Sequence, residues 1–153
     1  MRTTTTTSGA GAAVQSVPGL TGISHVGLTV RDVATSEAWY TDVLGLVRVF
    51  VEPHSAGEGH AVVMTRSGTG LFLGLDHHPD ADQHVFSERR TGLDHLALAV
   101  ESRADLDRWA GHLDFRGIDH SPIVDVDEPS PHAQMTFRDP DGIPIEVFWM
   151  GGE

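Results

Sequence analysis

The chain contains no cysteine, so it can form neither a disulfide bond nor a thiolate metal site. It is also poor in positive charge, because 10 Lys and Arg residues face 22 Asp and Glu residues, for a formal net charge of −12. A chain this acidic repels phosphate backbones and anionic lipid, so we expect neither nucleic acid nor a membrane as a partner. The apolar runs are too short to span a bilayer, and the lack of cysteine is compatible with the cytoplasmic location that we expect.

The first 19 residues, MRTTTTTSGAGAAVQSVPG, are small and polar and lack an apolar stretch of signal-peptide length. We therefore predict a disordered tail over residues 1–19 and one folded domain over residues 20–150. Histidine is unusually frequent, with 10 residues, and neutral imidazole is a common metal ligand.

The domain contains an internal repeat. The segments TGISHVGLTV and TGLDHLALAV share a Thr-Gly start, a central histidine and a final valine. Three pairs of residues are separated by 70 positions: His25 and His95, Trp39 and Trp109, and Val30 and Val100. The repeat predicts two related modules, the first at about residues 20–76 and the second at about residues 91–150, with a polar connector at about residues 77–90.

Each module is predicted to have the order β-α-β-β-β. Alternation places bulky apolar residues on one face of the first strand, and histidine among small residues on the other. An amphipathic helix follows in each module, and Gly45 is a natural residue for the end of the first one. Three further strand segments follow each helix, and RDPDGI predicts a tight turn before the last strand of the chain.

Glu146 lies in IPIEVFWM, the most apolar predicted strand, where an isolated carboxylate is costly unless it is paired or bound to metal. His25 and His95 are predicted in strand interiors, and packing of two related modules about a pseudo-twofold axis would bring all three residues together. Two imidazoles and one carboxylate suit a divalent transition metal, either Fe, Mn, Co, Ni or Zn. The alternative for each histidine is a hydrogen-bonded residue of the core.

The last strands of the two modules align through their glycines, which places Gly74 opposite Glu146. A metal at this site would therefore keep positions open for water or substrate. His77 and His78 are the candidates for replacing the missing ligand, and His132 is a candidate acid or base at the start of a strand. The other histidines are interpreted as ordinary loop or surface residues: His54, His60, His84, His112 and His120.

The segments HVGLTVRDVATSEAWYTDVLGL and FRDPDGIPIEVFW resemble the vicinal oxygen chelate superfamily. This group includes glyoxalase I, extradiol dioxygenases, methylmalonyl-CoA epimerases, and fosfomycin-resistance and bleomycin-resistance proteins. The resemblance implies an α+β fold, in which two βαβββ modules form a curved mixed sheet around a cleft. It also implies a divalent metal held by His25, His95 and Glu146, a homodimer, and a cleft that is sometimes shared between chains.

From this resemblance we expect a metal-dependent enzyme acting on a small oxygenated molecule. The three-ligand set favours dioxygenase-like chemistry, followed by glyoxalase-like lyase or isomerase chemistry, in which family members carry a fourth ligand where this chain has Gly74. A thiol transferase of the fosfomycin-resistance type remains open. The alternative is a non-enzymatic protein that binds an antibiotic or another small molecule, as bleomycin-resistance proteins do.

Overall fold

The computed structural model of the protein describes residues 19–151, which form two four-stranded sheets with one α-helix in each module. The first module contains β1 (Val26–Thr29), α1 (Val33–Leu44), β2 (Val47–Pro53), β3 (His60–Thr65) and β4 (Phe72–His77). The second contains β5 (Leu96–Ala99), α2 (Arg103–Phe115), β6 (Val124–Val126), β7 (His132–Arg138) and β8 (Pro144–Met150). The predicted pair of βαβββ modules is confirmed. The predicted tail lies outside the described residues except for Gly19, and the predicted module boundaries stay predictions.

Both sheets have the same topology. The strand orders are β1-β4-β3-β2 and β5-β8-β7-β6. In each sheet the first strand pairs in parallel with the last, and the other neighbours are antiparallel. The sheets are therefore mixed, and the helix after the first strand provides the crossover that a parallel pair requires.

The helices begin and end at residues with clear capping roles. The Asp32 side chain accepts a hydrogen bond of 2.6 Å from the Thr35 backbone N–H at the start of α1. Gly45 ends α1 with φ of 67°, a left-handed conformation that glycine adopts without steric cost. At the start of α2, the Ser102 backbone N–H donates to Asp105 Oδ2 at 2.9 Å.

The first strand of each module is shorter than predicted. The parallel ladders begin at Val26 and Leu96, so each candidate histidine lies one residue before its strand and not in its interior. Both His25 and His95 are exposed. The prediction of interior histidines was wrong because the hydrogen-bonded ladder covers only four residues of each repeated segment.

The predicted division of the first strands into two faces is confirmed. Leu28 and Val30 are buried, at 3% and 2% exposure, whereas Gly27 and Thr29 on the other face are exposed. In the second module the corresponding Ala97 and Ala99 are exposed as well. Each module thus covers one face of its first strand with core side chains and leaves the histidine face open.

The two modules share one hydrophobic core, with Phe137 at the contact between them. The Phe137 ring centroid lies 6.1 Å from that of Trp39 on α1 and 6.5 Å from that of Trp109 on α2. The repeated tryptophans therefore pack on one ring from β7. Such aromatic contacts add to the free energy of area burial.

Hydrogen bonds to buried carboxylates also connect the modules. The Tyr40 hydroxyl donates to Asp139 Oδ2 at 3.0 Å. The Ser36 hydroxyl and the Arg31 guanidinium donate to the two oxygens of Asp141, at 3.3 and 2.6 Å. The predicted RDPDGI turn is therefore also the segment that binds the start of α1. Burial raises the pKa of Tyr40 and the pKa of Asp139 above their usual values.

The predicted strand near residues 117–126 is mostly irregular. Only Val124–Val126 forms a strand, and His120 makes an isolated bridge to Phe137. Within residues 19–151, no helix has the length and apolar character required to cross a membrane.

We expect Tyr40→Phe to lower the free energy of unfolding by about 1–3 kcal/mol, because Asp139 loses a hydrogen-bond donor inside the protein. Urea unfolding should show a lower midpoint with an unchanged m-value. Phe115→Ala is the control, because Phe115 is 88% exposed and its removal should change the stability little. A Tyr40→Phe protein as stable as the parent would show that this hydrogen bond does not hold the modules together.

Candidate metal site

His95 and Glu146 lie next to each other in the second module. The distance between His95 Nε2 and Glu146 Oε1 is 3.8 Å. Glu146 is on β8, where its neighbours in the sheet are Ala97 of β5 and Thr136 of β7. The small Ala97 leaves the space in front of the carboxylate open, so the imidazole at the start of β5 reaches it.

Among residues 19–151, no arginine forms a salt bridge with the Glu146 carboxylate. Its side chain is 11% exposed, and among the described residues its single ionic contact within 4.0 Å is His95. A nearly buried carboxylate requires a counter-charge or hydrogen-bond donors. A divalent cation between Glu146 and His95 would meet that requirement, since both groups are ordinary ligands of such ions.

Both repeated histidines have a polar group at the ring nitrogen Nδ1. His95 Nδ1 lies 2.7 Å from Asp94 Oδ1, and His25 Nδ1 lies 3.4 Å from Ser24 Oγ. With the Nδ1 proton donated to Asp94, Nε2 of His95 carries the lone pair and faces Glu146. An imidazole held by a carboxylate in this way is typical of a metal ligand.

His25 occupies a different place from the pair of the second module. It lines an open cleft of about 610 Å³ whose wall is formed by residues of the first module alone, between Ser24 and Asp76. The donor atoms of His25, His95 and Glu146 do not form a group within 4.8 Å in one chain. The structure thus brings together two of the three predicted ligands within the chain and leaves the third at the cleft of the other module.

The register of the sheets confirms that Gly74 is the counterpart of Glu146. Gly74 pairs with Gly27 in the first module as Glu146 pairs with Ala97 in the second. A Cβ atom at Gly74 would lie 3.2 Å from Asp76 Oδ2, and one at Gly27 would lie 2.9 Å from it. The Asp76 carboxylate therefore folds back over the two glycines, into the space where a side chain at position 74 would begin.

Asp76 belongs to a group of which the sequence analysis named only His78, as a candidate to replace the ligand missing at Gly74. His54, Asp76 and His78 each offer one donor atom, and these atoms lie within 4.8 Å of one another. His54 was interpreted as an ordinary loop residue, whereas its Nε2 lies 3.0 Å from Asp76 Oδ1. Strand alternation could have indicated part of this group, since residues 74, 76 and 78 share one face.

The remaining candidates lie apart from the pair of His95 and Glu146. His77 is at the end of β4, with its ring centroid 5.3 Å from that of His60. His132 pairs with Met150 on β8, four residues beyond Glu146, or about 13 Å along the strand. Its ring stacks on Phe148 at 5.4 Å. The role of His132 as an acid or base stays a prediction.

Comparison with known protein families identifies one match. The profile described as Glyoxalase/Bleomycin resistance protein/Dioxygenase superfamily matches residues 22–147. Among curated sequences, the chain is similar to the uncharacterized protein YaeR of Escherichia coli (strain K12), with 28% identity over 133 residues, covering 85% of this chain and 97% of YaeR.

Solved structures agree with this match. The chain is similar to a glyoxylase/bleomycin resistance protein/dioxygenase domain from Frankia sp. EAN1pec, with 33% identity and a TM-score of 0.75, covering 87% of this chain and 100% of that one. The fold is also that of the fosfomycin resistance protein FosX from Listeria monocytogenes, solved with Mn(II) and sulfate. That likeness has 16% identity and a TM-score of 0.61, and it covers 87% of this chain and 95% of FosX.

The geometry around His95 predicts how its protonation depends on Asp94. The hydrogen bond to Asp94 is the main cause that raises the pKa of His95 above its usual value, burial opposes this increase, and the charge of Glu146 adds to it. The raised pKa adds stability to the metal-free protein at pH values below the unfolded-state pKa, and this stability is lost as the pH rises through the folded-state pKa.

We therefore expect Asp94→Asn to lower the pKa of His95 in the metal-free protein, as followed by NMR titration of the imidazole. Asp127→Asn, which removes an exposed carboxylate elsewhere, should leave that pKa unchanged. If Asp94→Asn left the titration of His95 where it was, the hydrogen bond would not govern the protonation of this ring.

Proposed function

Because this chain belongs to the glyoxalase/bleomycin resistance protein/dioxygenase superfamily, we propose that it is a metal-dependent enzyme acting on a small oxygenated molecule. The metal ligands are His25, His95 and Glu146. The substrate binds through one or two oxygen atoms at positions of the metal that no protein side chain occupies.

The observation that carries this proposal is the pairing of His95 with Glu146. Their donor atoms are 3.8 Å apart, the carboxylate is nearly buried, and its one ionic neighbour among the described residues is this imidazole. Two ligands about 2.1 Å from a tetrahedral metal are about 3.4 Å apart, so a small adjustment would allow both to bind one ion. The hydrogen bond from His95 to Asp94 keeps Nε2 free for that purpose.

The donor set supports a transition metal with open coordination positions. Two neutral imidazoles and one carboxylate carry a charge of −1, so a divalent ion would leave a net charge of +1 that attracts an anionic oxygen. Gly74 supplies no side chain at the position equivalent to Glu146. A metal bound here would supply Lewis acidity, or as Fe(II) would also bind dioxygen. The donors accept Fe, Mn, Co, Ni or Zn.

Within this proposal, the three-ligand set favours dioxygenase-like chemistry over glyoxalase-like chemistry. A thiol transferase of the fosfomycin-resistance type is a second candidate, since this chain has the fold of the fosfomycin resistance protein FosX. The cleft of the first module also suits a purely binding role, because Phe50, Val63 and Phe72 contribute apolar wall next to the polar groups. The protein would then hold an antibiotic or metabolite without converting it.

We further propose that the complete site is shared between two copies of the chain. Within one chain, His25 lines the cleft of the first module while His95 and Glu146 lie in the second. All seven residues of the edge strand β2 are exposed, among them Val47 at 56% and Phe50 at 48%. An exposed apolar edge strand is a surface that a second copy would cover. In such a homodimer, His25 of one chain completes the site formed by His95 and Glu146 of the other.

Metal analysis tests the first part of the proposal. Tag-free protein should bind a divalent transition metal, and His95→Ala should weaken this binding and abolish turnover, because the imidazole is a ligand. His84→Ala is the matched control, since its side chain is 75% exposed.

Turnover would be followed as oxygen uptake with catechols and Fe(II), as loss of methylglyoxal with glutathione, and as thiol addition to fosfomycin. If the protein bound a small molecule without converting it, and His95→Ala did not change that binding, the result would favour a non-enzymatic binding protein.

Mixing of variants tests the shared site. His25→Ala and Glu146→Ala homodimers should both be inactive, because every site lacks one ligand. A mixed dimer contains one site with all three ligands and one site that lacks two. Equimolar refolding should therefore restore about a quarter of the parental activity, since half of the dimers are mixed and each has one intact site. A site contained in one chain would show no restoration, because each chain of the mixed dimer still lacks a ligand.

A further inference from the structure

A second set of potential metal ligands lies at one end of the first sheet. His54, Asp76 and His78 form the one group of three or more such side chains, among residues 19–151, whose donor atoms lie within 4.8 Å of one another. We propose that these three residues form a divalent transition-metal site of their own. This inference does not rest on the proposed function, because it uses none of the residues His25, His95 and Glu146.

The sheet topology brings the three residues together. Strands β2 and β4 both pair antiparallel with β3, so their carboxyl termini lie at the same end of the sheet. Pro53 at the end of β2 and His77 at the end of β4 both pair with His60. His54 follows Pro53 directly and His78 follows His77 directly, so both histidines lie just beyond these paired residues. Asp76 shares a strand face with position 78 and points to the same side.

Glycines make room for two of the three side chains. Asp76 Oδ2 lies 2.9 Å from the position of a Cβ at Gly27, so a side chain there would require the Asp76 carboxylate to move. Gly59 has φ of 145°, and a Cβ on it would lie 2.8 Å from His54 Nδ1 and 2.4 Å from the His77 carbonyl oxygen. The His54 backbone N–H also donates to the Gly59 carbonyl at 3.2 Å. The lack of side chains at Gly27 and Gly59 therefore leaves room for the Asp76 carboxylate and the His54 ring.

The distances within the group are close to those of a metal site. His54 Nε2 and Asp76 Oδ1 are 3.0 Å apart, and the ring centroids of His54 and His78 are 4.5 Å apart. Ligands about 2.1 Å from a tetrahedral ion are separated by about 3.4 Å, so movements of about 1 Å or less would place all three donors around one ion.

The electrostatics of the group also suit a cation. The side chains of His54 and Asp76 are 16% and 23% exposed, and the single ionic partner of Asp76 in the described chain is His54. Two neutral imidazoles and a carboxylate leave a charge of −1, and no arginine in the described part of the chain pairs with Asp76. Imidazole ligands favour Zn, Co, Ni, Cu or Fe over Mg and Ca. Both His54 and Asp76 line the cleft that also contains His25, so the open positions of the ion would face a molecule bound there.

The simpler interpretation is a hydrogen-bonded pair of His54 and Asp76, and His78 distinguishes the two. A pair does not require His78, whereas a three-ligand site does. The adjacent His77 provides the matched control, because it is also a histidine at the end of β4 and is not a member of the group.

The test is titration of tag-free, metal-free protein with Zn(II) by calorimetry and with Co(II) by visible absorption. We expect His78→Ala and Asp76→Asn each to weaken one binding event by more than the roughly 10–100-fold that loss of an outer-shell partner causes. His77→Ala and His95→Ala should retain that event. His54 and His78 do not share the surroundings of His95, so His95→Ala should not affect their ion. Two results therefore support the proposal. In the first, the parent binds two ions and His95→Ala loses only the other one; in the second, the parent binds one ion and His95→Ala keeps it.

Three results would overturn the proposal. The first is a parent protein that binds neither Zn(II) nor Co(II). The second is unchanged binding in His78→Ala, which would leave only the hydrogen-bonded pair. The third is a single ion lost in both Asp76→Asn and His95→Ala, which would assign Asp76 to the His95 site.

Discussion

The relative position of the two modules depends on how the turn between β7 and β8 binds helix α1. Asp139 and Asp141 are buried, at 6% and 5% exposure, and their oxygens accept hydrogen bonds from Tyr40, Ser36 and Arg31. Buried carboxylates without donors would be very costly, so these bonds and the contacts of Phe137 specify one arrangement of the modules. In that arrangement the cleft with His25 is lined by the first module alone, and His95 with Glu146 belongs to the second.

The buried and half-buried carboxylates of the chain divide into two chemical kinds. Asp139 and Asp141 have backbone N–H, hydroxyl or guanidinium donors that satisfy them, which is what a structural role requires. Within the described ranges, Glu146 and Asp76 each have an imidazole as their one ionic partner. An imidazole binds a cation as readily as it binds a carboxylate. The two modules thus each keep one carboxylate that a metal ion would complete, at different positions of related sheets.

Much of the fold could be predicted because its signals are local or repeated. The separation of 70 residues between His25 and His95 and between Trp39 and Trp109 depends only on counting, and alternation identified the buried face of each first strand. The group around Asp76 could not be predicted in the same way. His54 and Asp76 are 22 positions apart, and they meet because β2 and β4 flank β3 and because Gly59 allows close contact. A loop histidine carries no sign of that contact in its own segment.

The sequence by itself determined the two modules and the equivalence of Gly74 and Glu146, and it predicted His25, His95 and Glu146 as metal ligands. These properties follow from hydrophobic periodicity and from a repeated order of residues, both of which are written along the chain. Only the tertiary structure decided which ligands meet. It joined His95 to Glu146, separated both from His25 within the chain, and added a second carboxylate–imidazole group at Asp76. The reason is that distance between side chains depends on strand order and module packing, which sequence spacing does not encode.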